Sequence, residues 1–216
     1  MQNNGRMRRE LIKEILIMGM GLLVSCGSPK KTYNKLSLDA IILAFGDSIT
    51  YGYNAPREAS YPAILSDLSG MEVINRGISG EKAFEGRIRL QNELETYRPE
   101  LVLIELGGND FLARRSDNLV KEDLRAMIGE VKAHGAIPVL IAVPEFSMTA
   151  VVLGMPSDAS LYRELAKEEE ILLISNAIGD VLKHESLCSD QIHPNSAGYY
   201  QLAESVYEAL KKAGLL

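Results

Sequence analysis

The alternation of short apolar runs with amphipathic stretches constrains this chain most. Most of the runs are apolar throughout, which is typical of strands covered on both faces. In the stretches between them, apolar residues recur every three to four positions, the spacing of a helix with one buried face. This alternation predicts an α/β fold in which a parallel sheet lies between two layers of helices. The predicted strands are residues 40–45, 72–75, 101–106, 138–143 and 171–175, and the predicted helices are residues 61–68, 83–97, 121–134, 161–168 and 197–212.

Length and composition fit a single domain of this kind. The chain has 216 residues, 46% of them apolar, which is enough for one substantial core. Its formal net charge is −6, and no block of basic residues follows the first fifteen positions. We therefore exclude nucleic acid as a partner, because binding to phosphates requires a cationic surface. The two cysteines, Cys26 and Cys188, are too few for a disulfide framework or a zinc cluster.

The N-terminal part of the chain differs in character from the rest. A basic segment precedes ten apolar residues at positions 15–24, a run too short to span a bilayer but typical of a signal peptide. The run ends in Leu-Val-Ser-Cys, which resembles a bacterial lipobox, so Cys26 is the predicted lipidation site. An ordinary signal peptide with a chance cysteine is the alternative. We assign residues 1–25 to the signal, 26–38 to a polar tether and 39–216 to the folded domain.

Four polar clusters stand where the predicted strands end. The triplet GDS, ending in Ser48, follows the first strand, and NRGISG, ending in Gly80, follows the second. The string GGND, which contains Asn109, follows the third strand, and SDQIHP, with Asp190 and His193, precedes the last helix. Ligands of open parallel sheets bind beyond the carboxyl ends of the strands. All four clusters therefore belong to the edge where a functional site is expected.

The residue types in these clusters suit acyl transfer. A serine hydroxyl such as that of Ser48 needs a base to take its proton, and the base needs a carboxylate to fix its tautomer. His193 and Asp190 are three residues apart, close enough for a tight turn to join them. The backbone N–H groups of Ser48 and Gly80 and the side-chain amide of Asn109 could stabilise an oxyanion. The alternative for each residue taken alone is a turn or loop role.

The strings GDSIT, NRGISG, GGND and DQIHP resemble, in order, the four blocks of the SGNH hydrolases, also called GDSL-type esterases and lipases. The resemblance spans about residues 41–210 and is greatest to the bacterial branch of thioesterase I/lysophospholipase and small arylesterases. It implies Ser48 as nucleophile, Asp190 and His193 as the rest of the triad, and an oxyanion hole formed with Gly80 and Asn109. Isoleucine follows the serine where the eponymous motif has leucine, a conservative departure.

From this we predict a three-layer α/β/α, flavodoxin-like fold with a five-stranded parallel sheet in the order 2-1-3-4-5. The expected reaction is hydrolysis of a carboxylic ester or thioester, a small-molecule substrate, through an acyl-serine intermediate without cofactor or metal. A carbohydrate acetylesterase of the same family is the alternative. A metal-dependent phosphoesterase would need more histidine and carboxylate ligands than these blocks contain, and a flavodoxin-like binding module would leave the triad without a purpose. The oligomeric state stays open.

The residues that bind the substrate are less evident. Residues 144–162 follow the fourth strand, and Phe146, Met148 and Val152 could form an apolar surface that binds an acyl chain. Ordinary packing of a long loop explains these residues equally well. Asp47 and Tyr51, on either side of the predicted nucleophile, are further candidates for substrate contact.

Overall fold

A computed structural model describes residues 33–145 and 156–216. The described residues form one parallel five-stranded sheet in the order β2-β1-β3-β4-β5, which confirms the predicted fold. The strands are β1 (Ile41–Gly46), β2 (Glu72–Gly77), β3 (Leu101–Glu105), β4 (Ile137–Ile141) and β5 (Leu172–Ile174). The helices are α1 (Ser48–Tyr51), α2 (Tyr61–Ser69), α3 (Ala83–Tyr97), α4 (Gly108–Leu112), α5 (Asp117–Ala133), α6 (Ser160–Glu168), α7 (Ala177–Leu182) and α8 (Ser196–Lys212).

The helices flank the sheet in two groups. Helices α2 and α7 pack against α8, whereas α3 and α6 pack against α5. The central strands β1 and β3 are buried almost throughout, because helices cover both of their faces. Phe45, Leu103 and Leu140 are fully buried and contribute to one continuous apolar core. None of the helices described above has the length and apolar character of a membrane-spanning segment.

The predicted strands and long helices match the observed ones closely, and most boundaries agree within two residues. Helix α5 is an exception, because it begins at Asp117 rather than at residue 121. The short helices α1, α4 and α7 were not predicted. Each has six residues or fewer, too few for an apolar spacing of three to four residues to repeat.

The strand register places the carboxyl ends of β1, β2 and β3 next to one another. Gly46, at the end of β1, is paired with Gly77 of β2 and with Glu105 of β3. The segments that leave these three strands therefore start side by side at the carboxyl edge. Gly46 has no room for a side chain, since an added Cβ would lie 2.2 Å from the Thr50 hydroxyl and 2.4 Å from the Glu105 carbonyl oxygen. This close approach packs the turn after β1 directly onto the end of β3.

Candidate active site

Ser48 is the first residue of α1 and is half-buried at the carboxyl edge. We call residues 46–51 the Ser48 turn. Asp47 caps the helix, because its carboxylate accepts a hydrogen bond from the Ile49 backbone N–H at 3.1 Å. The Asp47 backbone N–H donates in turn to the Glu105 carbonyl at 3.2 Å. Backbone and side-chain contacts thus both hold the serine at the end of β1.

His193 reaches Ser48 from the loop that precedes α8. Its Nε2 lies 2.9 Å from the Ser48 Oγ, although the two residues are 145 positions apart. The His193 carbonyl accepts hydrogen bonds from the backbone N–H and the hydroxyl of Ser189, which close this loop on itself. The Tyr53 ring packs on the imidazole with its centroid 4.7 Å from that of His193.

Asp190 holds the other side of the imidazole. His193 Nδ1 lies 2.8 Å from Asp190 Oδ2 and 3.0 Å from Oδ1. Oδ1 also accepts the backbone N–H groups of Ile192 and His193, and the Asn54 side chain donates to Oδ2 at 3.3 Å. Partial burial alone would raise the pKa of Asp190, but the hydrogen bonds from Ile192 and His193 outweigh it and lower that pKa. Asp190 is therefore ionised at neutral pH.

These contacts assign the imidazole tautomer. An ionised carboxylate can only accept, so His193 carries its proton on Nδ1 and presents the lone pair of Nε2 to the Ser48 hydroxyl. In this arrangement the imidazole can take the hydroxyl proton, and Asp190 can stabilise the imidazolium that results. The three side chains, predicted from two separate sequence blocks, thus form one hydrogen-bonded row.

Gly80 belongs to the turn after β2, and Asn109 belongs to the first turn of α4, which follows β3. Asn109 Nδ2 donates to Asp47 Oδ2 at 3.1 Å and to the Glu81 carbonyl at 3.1 Å. The second contact ties the Asn109 amide to the residue directly after Gly80. Gly80 has φ +84°, a left-handed conformation that a side chain would strain. The two predicted oxyanion donors are therefore joined through Glu81, on the side of the site that also contains Asp47.

Asp47 and Tyr51, predicted to contact substrate, have different surroundings. Asp47 borders the cleft in front of Ser48 but is only 3% exposed, and its carboxylate binds Ile49 and Asn109 within the protein. Burial raises its pKa to about 6. The Tyr51 side chain is 46% exposed, and its carbonyl accepts a hydrogen bond from Asn75. The contacts of Asp47 are therefore those of a group that positions its neighbours.

The cleft at Ser48 is mixed in character. Its apolar lining comes from Ile49, Leu112, Val143 and Ile192, next to the polar groups already described. Leu112 is 51% exposed, so the apolar surface continues out of the cleft. The predicted substrate residues Phe146, Met148 and Val152 and the predicted lipidation site Cys26 lie outside the described residues.

Two groups near the site were not predicted from the sequence. Glu105 is fully buried beneath the Ser48 turn, and Arg89 binds the side chain of Glu81 next to Gly80. A lone carboxylate inside the apolar run LVLIEL was the available signal for Glu105, because an unpaired charge is costly in a covered strand. Nothing local distinguishes Arg89 from other helical arginines. In the part of the chain that the structure describes, no three His, Cys, Asp or Glu side chains form a possible metal site.

Comparison with known proteins places these features in context. A family model described as "GDSL-like Lipase/Acylhydrolase family" matches residues 44–201. The chain is 33% identical to the thioesterase 1/protease 1/lysophospholipase L1 of Escherichia coli K12 over 76% of this chain and 79% of the relative. It is 32% identical to an arylesterase of Vibrio mimicus over 79% of this chain and 88% of the relative.

Two further similarities are relevant. The crystal structure of the psychrotrophic esterase EstA from Pseudoalteromonas sp., inhibited by monoethylphosphonate, superposes with a TM-score of 0.71 at 26% identity. That match covers 81% of this chain and 98% of EstA. The uncharacterized lipoprotein YqeF of Bacillus subtilis is 27% identical over 60% of this chain and 56% of the relative.

Proposed function

The chain belongs to the GDSL-like lipase/acylhydrolase family and is an esterase, and from this premise we propose that it hydrolyses carboxylic esters or thioesters through an acyl-Ser48 intermediate. The observation that carries the proposal is the 2.9 Å contact between His193 Nε2 and Ser48 Oγ, with Asp190 on the far side of the ring. As His193 takes the proton, Ser48 Oγ attacks the acyl carbon. The imidazolium then gives the proton to the leaving alcohol or thiol, and water releases the acyl group by the same route.

The oxyanion of each tetrahedral intermediate is assigned to three N–H donors. These are the backbone N–H groups of Ser48 and Gly80 and the side-chain amide of Asn109. In the free enzyme both amide hydrogens of Asn109 have acceptors, Asp47 and the Glu81 carbonyl. Asn109 therefore stabilises the oxyanion by sharing or exchanging one of these bonds. The developing negative charge favours this exchange, because a charged acceptor makes the stronger hydrogen bond.

The names of the relatives support an acyl substrate of low polarity. One relative is named a thioesterase and lysophospholipase and another an arylesterase, and substrates of both types present an apolar group next to the scissile bond. The cleft of this chain offers Leu112, Val143 and Ile192 to such a group. We assign the acyl chain to this side and propose that Phe146, Met148 and Val152 extend it.

A substrate panel tests this assignment. Hydrolysis of p-nitrophenyl esters should rise from acetyl to medium-chain acyl groups, by about 1 kcal/mol or less of transition-state stabilisation per added methylene. Acyl-CoA, lysophospholipid and acetylated sugars complete the panel and identify the leaving group. Replacing Met148 or Val152 with a polar residue should flatten the rise. A strict preference for acetyl groups on sugars would contradict the proposal and favour a carbohydrate acetylesterase.

The nucleophile is tested by Ser48→Ala. The variant should fold normally and lose nearly all turnover, because among the described residues no other hydroxyl bonds the Nε2 of His193. An alkyl phosphonate ester should label wild-type protein but not the variant. Ser205→Ala is the matched control, since the Ser205 hydroxyl bonds the Gln201 carbonyl within α8. Retention of about a tenth of wild-type kcat/KM by purified Ser48→Ala, a loss of only about 1.4 kcal/mol, would overturn the assignment.

The proposed location is the outer face of a bacterial membrane, reached by export and held by a lipid on Cys26. Support comes from the basic and apolar pattern of residues 1–25 and from the Leu-Val-Ser-Cys ending. A further relative of this chain, YqeF, is named a lipoprotein. The polar residues 26–38 would then tether the esterase domain to the membrane.

A further inference from the structure

A fully buried carboxyl group lies directly beneath the Ser48 turn. Glu105 is the last residue of β3, and its Oε2 accepts the Thr50 hydroxyl at 2.8 Å. The same oxygen accepts the backbone N–H groups of Thr50 at 3.2 Å and of Asp47 at 3.4 Å. The Thr50 hydroxyl is also 3.2 Å from that of Tyr61. Because Asp47 and Thr50 flank Ser48 along the chain, Glu105 holds the turn on both sides of the serine.

The other oxygen of Glu105 has a different environment. Among the described residues, no N–H or O–H donor lies against Oε1. Glu105 nevertheless contacts Asp47 directly through the Asp47 backbone N–H, and the charge of the Asp47 carboxylate raises the pKa of Glu105. Two ionised carboxylates in one buried site repel each other, so we expect one of the two groups to be protonated. Asp47 is the better candidate for the ionised group, because N–H donors bond both of its oxygens, whereas the donors to Glu105 all bond Oε2.

We propose that Glu105 is a neutral carboxylic acid that donates its proton to ionised Asp47 and so positions the Ser48 turn and the Asn109 amide. Glu105 does not border the cleft, so it acts through Asp47 and Thr50 as a positioning residue. Its effect on turnover rests on the function proposed above. The protonation state of Glu105 does not depend on that function.

The charges around the pair agree with this assignment. Burial and the neighbouring Asp47 raise the pKa of Glu105 well above its usual range, whereas burial raises the pKa of Asp47 only to about 6. Among the described residues that face the pair, no lysine or arginine opposes either shift. The titratable groups that face it are His193 and Glu81, toward Asp47, and the phenols of Tyr61, Tyr162 and Tyr199.

A buried carboxylic acid that stays neutral makes the free energy of unfolding depend on pH in a defined way. In the unfolded chain Glu105 ionises above about pH 4.5, whereas in the folded protein it keeps its proton, so its contribution to stability is lost as pH rises. Glu105→Gln keeps the shape and supplies an N–H to Asp47, but it cannot ionise. We therefore expect the Tm of Glu105→Gln, relative to wild type, to increase between about pH 5 and about pH 8.

Glu93→Gln is the matched control. Glu93 is also buried, but its carboxylate accepts hydrogen bonds from the guanidinium groups of Arg76 and Arg89. Neutralising it leaves these cations without their partner. The Tm of Glu93→Gln should accordingly lie below that of wild type at about pH 8, and it should not increase relative to wild type between about pH 5 and about pH 8.

Infrared spectroscopy and kinetics complete the test. Wild-type protein at about pH 8 should show the C=O stretch of one protonated carboxylic acid, and Glu105→Gln should lack it. Glu105→Gln should keep kcat within about threefold of wild type, whereas Glu105→Ala should lower kcat at least about tenfold with KM unchanged.

Absence of the protonated-acid band in wild type would overturn the proposal, as would a Glu105→Gln variant as damaged in kcat as Glu105→Ala. The infrared measurement uses wild-type protein, so it remains decisive if a variant does not fold. If Ser48→Ala stays active while the band is present, the proposed function fails and the neutral Glu105 stands.

Discussion

At the scale of single residues, Asn109 has the most demanding environment in the site. Its amide donates to Asp47 and to the Glu81 carbonyl at 3.1 Å each, so both hydrogens are engaged before substrate arrives. An ordinary turn asparagine needs no such pair of acceptors. The contacts hold the amide in place before substrate binds, and one of them is shared or exchanged when the oxyanion forms.

Removing this amide should affect the chemical step. We expect Asn109→Ala to lower kcat roughly a hundredfold to a thousandfold, about 3 to 4 kcal/mol, with KM nearly unchanged. Asn109→Asp should be at least as harmful, because a carboxylate would face both Asp47 and the developing oxyanion. Steady-state kinetics on one ester measure both effects. Gln91→Ala, which removes an exposed amide on α3, serves as the control.

A loss confined to KM would contradict the oxyanion role of Asn109. It would indicate that the amide binds the ground state and the transition state equally. The residue would then be a substrate contact, and the oxyanion would depend on the backbone N–H groups alone.

At the scale of elements, one arginine joins α3 to the Gly80 loop, which we define as residues 78–82. Arg89 makes two hydrogen bonds to the Glu81 carboxylate, at 2.6 and 2.7 Å, and another to the Arg76 carbonyl at 2.7 Å. Its guanidinium also lies 3.9 Å from the Phe45 ring centroid. Helix α3, strand β2 and the loop with the Gly80 donor are therefore connected through one side chain.

Breaking this connection should affect stability and turnover together. Arg89→Leu leaves the nearly buried Glu81 carboxylate without its partner, so we expect a loss of about 3 to 5 kcal/mol in the free energy of unfolding. We also expect kcat to fall more than KM rises, because the displaced loop carries an oxyanion donor. Denaturant titration and steady-state kinetics measure the two quantities.

The surface arginine of α5 provides the comparison. Arg125 pairs with Glu122 and Glu168 at the surface, so Arg125→Leu should cost about 1 kcal/mol or less and leave kcat unchanged. Adding Glu81→Gln to Arg89→Leu should recover part of the lost stability, because the uncompensated charge is then removed. Equal effects of Arg89→Leu and Arg125→Leu would contradict the special role of Arg89.

At the scale of the whole molecule, the proposed anchor and the catalytic site belong to separate parts of the chain. All the side chains of the candidate site lie within residues 39–216, whereas Cys26 belongs to the proposed tether. Cys26→Ala should therefore release the protein from the membrane fraction and leave kcat/KM for a soluble ester unchanged. Fractionation and mass spectrometry of the N-terminus measure this. Wild-type protein that stays soluble and retains residues 1–25 would contradict the proposal.

The sequence by itself determined the α/β class and the residues of the row from Ser48 to Asp190, and the predicted strand order followed from the family resemblance. Continuous apolar runs specify covered strands, and parallel strands bring their carboxyl ends to one edge. The chemistry of serine, histidine and aspartate then follows from residue types, and the resemblance to SGNH hydrolases named the same positions. These features depend on local pattern, which a sequence displays directly.

Only the tertiary structure decided which polar groups support that row. Three of these supporting contacts join residues that are distant in the chain. They are the contact of Glu105 with the Ser48 turn, that of Asn54 with Asp190, and that of Arg89 with the Gly80 loop. Asp47 is a substrate candidate by position, but its burial and its bond to Asn109 give it a positioning role. Burial, hydrogen-bond partners and the resulting pKa are properties of packed neighbours, and spacing along the chain does not contain them.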